Sequence, residues 1–144
     1  MARILVIDDD ALVGKAIRTM LVALGHNVIV ADGGPSALPA LETFAFDVVM
    51  IDIIMPGMNG LDVIKLVREG APEAAIIAMS GYAFQGGSSD RDYLQLAKQL
   101  GAAHCMQKPF RPKDLIEAID VCIGLPALKP IEKTANDKPR VLRA

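Results

Sequence analysis

A chain of 144 residues can bury one substantial core and is too short for two ordinary domains. With 52% apolar residues and a formal net charge of −2, it reads as a globular protein rather than a disordered or fibrous one, and no basic field points to nucleic acid. The longest apolar stretches are strand-sized and Met1 to Ile7 lacks the pattern of an export signal, so neither membrane insertion nor secretion is indicated and the cytoplasm is the expected compartment.

Along the chain, short apolar runs alternate five times with stretches of helical period. Arg3 to Ile7 is the first strand, followed at once by Asp8, Asp9 and Asp10; Asp10 suits the N-cap of a helix. Leu12, Ala16, Met20 and Leu24 recur every fourth residue and stop at Gly25, which predicts a first helix with these residues on its core face. Asn27 to Val30 is the second strand. The second helix, Ser36 to Phe44, holds Pro39 and is expected to place it in the first turn behind a Ser36 N-cap. Asp47 to Ile51, Ala75 to Met79 and His104 to Met106 complete the strands, with helices over Leu61 to Glu69, Asp90 to Leu100 and Pro112 to Ile123. Several strands are unbroken runs rich in Val and Ile, as in parallel sheets buried on both faces. Right-handed crossovers then leave chiefly an α/β doubly wound (βα)5 sheet, in the flavodoxin-like order 2-1-3-4-5, with a ligand crevice at the carboxyl ends of strands 1 and 3.

Asp52 is the conspicuous residue. It interrupts the apolar run from Val48 to Pro56, where an ionised carboxylate costs several kcal/mol, at least, unless it is paired. In the expected strand order Asp8, Asp9 and Asp52 meet at the crevice, with Ser80 ending the next strand and Lys108 following the one beyond. His26 and His104 lack any ligand pattern and read as structural. Gly86-Gly87-Ser88-Ser89 lacks the lysine context of a phosphate loop and reads as a connection. Cys105 and Cys122 fall where a small hydrophobe is expected, so a disulfide or metal pair is not. The composition changes after Gly124: residues 125–144 carry three prolines, and Lys129 to Arg143 holds five Lys or Arg against two acids. The expected division is a domain over 1–124 and a basic, Pro-containing tail or linker over 125–144.

Ile4-Leu5-Val6-Ile7-Asp8-Asp9-Asp10, Ile51-Asp52 with Met55-Pro56-Gly57-Met58-Asn59-Gly60, Ser80-Gly81, and Lys108-Pro109-Phe110 together resemble the four signatures of the receiver domain of two-component response regulators, in a chemotaxis-regulator-like single-domain form. The match runs from Arg3 to about Ile123. The resemblance implies that Asp52 accepts a phosphoryl group from a histidine kinase or histidine phosphotransfer protein. It implies Mg²⁺ held by Asp9, Asp52 and the backbone carbonyl of Ile54, with Asp8 acting mainly through water. Ser80 and Lys108 would hold the phosphoryl oxygens. The output would be a surface read by a downstream protein, without nucleic acid or membrane insertion, and the only catalysis the domain's own phosphorylation and slow dephosphorylation. Two rivals are a degenerate receiver acting as a binding scaffold and a Mg-dependent phosphohydrolase. The latter would want a second acid two residues after Asp52, where Ile54 stands. The chain departs from the family at Cys105, where an aromatic is usual, and in a longer segment between Ser80 and Gly101. Switching is therefore expected to rely on the Ser80 to Asp90 loop and the fourth helix, with Tyr82 or Tyr93 as a substitute ring.

Overall fold

The computed structural model describes residues 1–55, 58–81 and 95–124. In chain order these form β1 (Arg3–Ile7), α1 (Ala11–Ala23), β2 (Asn27–Ala31), α2 (Gly34–Thr43), β3 (Val48–Asp52), β4 (Ile54–Met55), β5 (Met58–Asn59), α3 (Gly60–Gly70) and β6 (Ala75–Ser80). There follow α4, described over residues 95–99, then β7 (Ala102–Gln107) and α5 (Pro112–Cys122). β4 and β5 make a small antiparallel pair, and the other five strands form one parallel sheet in the order β2-β1-β3-β6-β7. This is the flavodoxin-like order, 2-1-3-4-5 for the five sequence-predicted strands.

Strand alternation divides the core between the two faces of the sheet. Leu5, Ile7, Val49, Ile51, Ile76 and Ala78 pack with residues of α2 and α3 on one side, while Ile4, Val6, Val48, Met50, Ile77 and Met79 pack with α1 and α5 on the other. Every residue of β3 is buried, including Asp52. Each fully buried aliphatic contributes about 1.5–3 kcal/mol relative to exposure, so β1, β3 and β6, nearly all of whose residues are buried, are firmly held. Cys105 packs on the first face and Cys122 on the second, both half-buried, and burial raises both thiols above their ordinary value. They lie on opposite sides of the sheet. Among the described residues, no helix is long and apolar enough to cross a membrane.

The structure corrects several sequence expectations. The buried face of α1 is Gly14, Ile17 and Leu21, flanked by half-buried Val13 and Met20; Leu12 is 79% exposed, Leu24 49%, and Ala16 is exposed. A strict spacing of four drifts by about 40° per step around a 3.6-residue helix, so only the alternation of threes and fours stays on one face. α2 begins at Gly34, behind Gly33 rather than Ser36, with Pro35 in its first turn and Pro39 inside the helix. Ser36 instead donates through Oγ to Asp32 Oδ1 at 2.6 Å, the residue just before the Gly33 N-cap. β7 starts two residues before His104, and its register jumps from Ile76–Ala102 to Ile77–His104, leaving Ala103 as an extra, bulged residue on the sheet edge. The expected start of the fourth helix, the loop over 83–90, Tyr82, Tyr93 and the tail lie outside the described residues.

Candidate functional site

Parallel register brings the ends of four strands level. Ile7 pairs with Ile51, Asp52 with Met79, and Ser80 with Gln107, so Asp8, Asp52, Ser80 and Lys108 gather at the same end of the sheet, the carboxyl ends of its strands. Asp8, Asp52 and Ser80 are buried, at 1%, 4% and 0% exposure, while Asp9 is exposed.

Lys108 closes this arrangement from the edge. Its Nζ donates to Asp8 Oδ2 at 2.8 Å and to Asp52 Oδ2 at 3.1 Å, answering the question posed by an acid in an apolar run. The remaining oxygens are also satisfied: Asp8 Oδ1 accepts from the Asp10 N–H at 2.9 Å, and Asp52 Oδ1 from the Ile54 N–H at 3.0 Å. Burial pushes the Asp52 carboxyl up to about 6, against the pull of the Ile54 N–H and Lys108 and with help from the Asp8 charge. Burial works against the Lys108 ammonium, but its hydrogen bonds and charge contacts with Asp8 and Asp52 prevail and raise it above the ordinary lysine value. The lysine stays charged and Asp52 is held close to its titration range.

Asp10 is the N-cap of α1, its Oδ1 accepting from Leu12 N–H at 3.0 Å and Val13 N–H at 3.4 Å, as its position in the sequence suggested. The other three acids converge: one oxygen each from Asp8, Asp9 and Asp52 lie within 4.8 Å of one another. A compact set of hard oxygen donors, two buried and one open to water, suits a small divalent cation such as Mg²⁺, which prefers oxygen and keeps part of its hydration. Ser80 Oγ donates to the Gly81 carbonyl at 3.1 Å, and the Lys108 N–H donates to the Ser80 carbonyl at 2.7 Å, tying the ends of β6 and β7 together. The Lys108–Pro109 peptide is cis. Ile54 is half-buried at the rim, where its backbone already orients Asp52.

One contributor carried no recognisable chemistry in the sequence. Gly60 opens α3, and a Cβ there would lie 2.1 Å from Ile53 Cα and 2.7 Å from Ile53 O, so the helix end rests directly on the backbone that follows Asp52. Asn59 caps the same helix through Oδ1 to the Leu61 N–H at 2.8 Å. Gly60 belongs to the Met55 to Gly60 signature, but its contact lies seven residues back along the chain.

Residues 4–120 match the family model of the response regulator receiver domain. The chain belongs to that family. Over 118 residues this receiver is 32% identical to the response regulator protein FleR of Pseudomonas aeruginosa, covering 82% of the chain and 24% of FleR. It is 33% identical over 119 residues to the DNA-binding response regulator MtrA of Mycobacterium tuberculosis, covering 81% of the chain and 48% of MtrA. The receiver thus spans a quarter to a half of these relatives. Among solved structures it resembles a CheY-like response regulator receiver domain protein from Methanospirillum hungatei, at a TM-score of 0.76 and 26% identity, over 85% of this chain and 94% of the other. Receivers are signalling domains of two-component systems rather than conventional enzymes.

Proposed function

We propose that Asp52 accepts a phosphoryl group from a histidine kinase or histidine phosphotransfer protein, and that the resulting change is read by a downstream protein. The observation that carries this reading is the Lys108 ammonium bridging two buried carboxylates at a mouth that a third acid completes. A structural ion pair needs neither the third acid nor an opening to water.

Asp52 is the nucleophile: a carboxylate oxygen forms a bond to phosphorus as the bond from phosphorus to the donor's imidazole nitrogen breaks, and the imidazole keeps that electron pair. The Ile54 N–H fixes one oxygen of Asp52 and so aims the other. Lys108 exchanges its contact with Asp52 for one with the phosphoryl group, retaining Asp8, and thereby keeps a positive charge where negative charge accumulates. Ser80 turns its hydroxyl from Gly81 to a phosphoryl oxygen. Asp8, Asp9, Asp52 and the Ile54 carbonyl would hold Mg²⁺, which when bound offsets the charge of the acids and of the incoming group. The receiver is assigned to residues 1–124, and residues 125–144 to a basic tail.

Incubation with acetyl phosphate and Mg²⁺, read by intact mass, tests the reading. One stable phosphate adduct is expected, abolished in Asp52→Asn and suppressed in Asp9→Ala or by EDTA. Full labelling of Asp52→Asn would sink the assignment. Turnover without an adduct would favour a hydrolase, and no reaction a scaffold.

A further inference from the structure

Beside the site, α5 and the edge strand β7 enclose a groove of about 400 Å³, lined by His104 and Met106 of the strand, by Phe110, and by Asp114, Glu117 and Val121 of the helix. The three helix residues recur at spacings of three and four and form one stripe of α5. Its character is mixed. Met106 is buried, Phe110 half-buried and Val121 50% exposed, so the groove offers apolar surface, while the two acids give it a negative rim. Glu117 has no ion pair among the described residues, and Asp114 meets only Arg111 in the exposed capping box of α5, accepting its backbone N–H at 3.1 Å and pairing with its Nε at 3.4 Å.

The chain supplies a segment of matching chemistry. It leaves α5 through Gly124, whose φ of +82° turns it out of the helix at the end of the groove wall. Residues 125–144 follow, and within them Lys129 to Arg143 carries five basic residues against two acids. Arg140-Val141-Leu142-Arg143 sets two aliphatic side chains between two guanidinium groups, without proline, and so has the same polar–apolar–polar pattern as the groove. Reach is ample. The sixteen residues from Gly124 to Arg140 can extend about 50 Å, whereas α5, at eleven residues, is about 16 Å long.

We propose that residues 129–143 fold back into the α5–β7 groove of the same chain, with Val141 and Leu142 against Met106 and Phe110 and the arginines beside Glu117 and Asp114. A short tether holds such a segment at an effective concentration of about a millimolar, so even a weak contact is substantially occupied. Exposed charge pairs are screened by salt, which makes the occupancy ionic-strength dependent. The proposal does not depend on phosphorylation.

Backbone amide spectra of the unphosphorylated full chain test it, comparing the wild type with Arg140→Glu/Arg143→Glu. Amides of residues 104–106 and 117–121 should move on charge reversal, and the same amides should move when salt is added to the wild type. Adding Glu117→Lys to the doubly reversed tail should bring them part of the way back, because the charges are again opposite. The shifts should be the same at low and high protein concentration. Groove amides that ignore the tail's charge would overturn the proposal. So would shifts that grow with protein concentration, since the occupant would then be a second copy.

Discussion

Replacing Gly60 with alanine places a methyl group where there is no room. The added carbon would sit 2.1 Å from Ile53 Cα, 2.6 Å from its carbonyl carbon and 2.7 Å from its oxygen. An ordinary contact begins near 3.4 Å, so the N-terminus of α3 and the Ile53 backbone must part by 1.3 Å. All three obstructing atoms are main chain, bounded by buried Asp52 on one side and the β4–β5 pair on the other, and no side chain can rotate away. Overpacking a core costs about 1–3 kcal/mol, and this geometry belongs at the upper end, about 3 kcal/mol. For a domain of this size that is a fall in Tm of about 10–15 °C. Gly70, at the other end of the same helix, is the control. A Cβ there meets only Leu41 Cβ at 3.8 Å, so Gly70→Ala should be neutral or stabilising by up to about 1 kcal/mol through helix propensity. Thermal unfolding followed by circular dichroism compares the two. Since what yields in Gly60→Ala is the segment after Asp52, phosphate uptake should also slow at temperatures where the variant is folded. A Gly60→Ala protein melting within about 2 °C of the wild type would refute the reasoning.

Lys108→Met leaves Asp8 and Asp52 buried without their cation and should cost about 3 kcal/mol at pH 8 in urea titrations with EDTA, less at pH 5, below the value of about 6 to which burial raises Asp52. Asp52→Asn should be neutral or stabilising, and equal stability of Lys108→Met and the wild type at both pH values would contradict the pairing. His26 accepts the Ala2 N–H through Nδ1 at 3.0 Å, and its pKa is lowered from 6.5 by burial and then by the N-terminal ammonium, with Asp120 of α5 opposing. Its contribution to stability is therefore complete above pH 6.5 and is lost as pH falls through the lower folded value. His26→Gln should flatten the stability profile between these limits, and an unchanged profile would exclude His26 as its source. Ile54 offers no group to orient an attacking water, so Ile54→Glu or Ile54→Asn should hasten loss of phosphate from Asp52, by ~10-fold. Equal or slower decay in both variants, followed by intact mass, would count against this.

Much of the fold and the site was legible because the signals were local. Unbroken runs such as Val48 to Ile51 identify strands buried on both faces, and a charge within such a run, Asp52, identifies the place where partners must gather. Asp8 and Lys108 could be named as those partners because parallel strands bring their carboxyl ends together. The core face of α1 was not legible: two apolar stripes share that sequence, and which one is buried depends on how the helix lies on β1 and β2. Nor was the tolerance of α2 for Pro39 in its interior, which the assembled helix accepts at the loss of one hydrogen bond. The role of Gly60 escaped for a similar reason, since Ile53 becomes its neighbour only when β4 and β5 pair.

The bulge at Ala103 separates the phase of the first residue of the last strand from that of the rest. Side chains alternate along β7, and Lys108 follows a Gln107 that pairs with Ser80, so the direction of the ammonium is set by the pairing at the end of the strand. The extra residue is taken up near that start, where the strand has no further neighbour in the sheet, and every position after it arrives in step with β6. Deleting Ala103 would restore a one-to-one ladder, Ala102 opposite Ile76 and the next residue opposite Ile77, and would leave the lysine where it is. The rim of the sheet thus absorbs a surplus residue from the chain before it and passes no error on to the cation of the site.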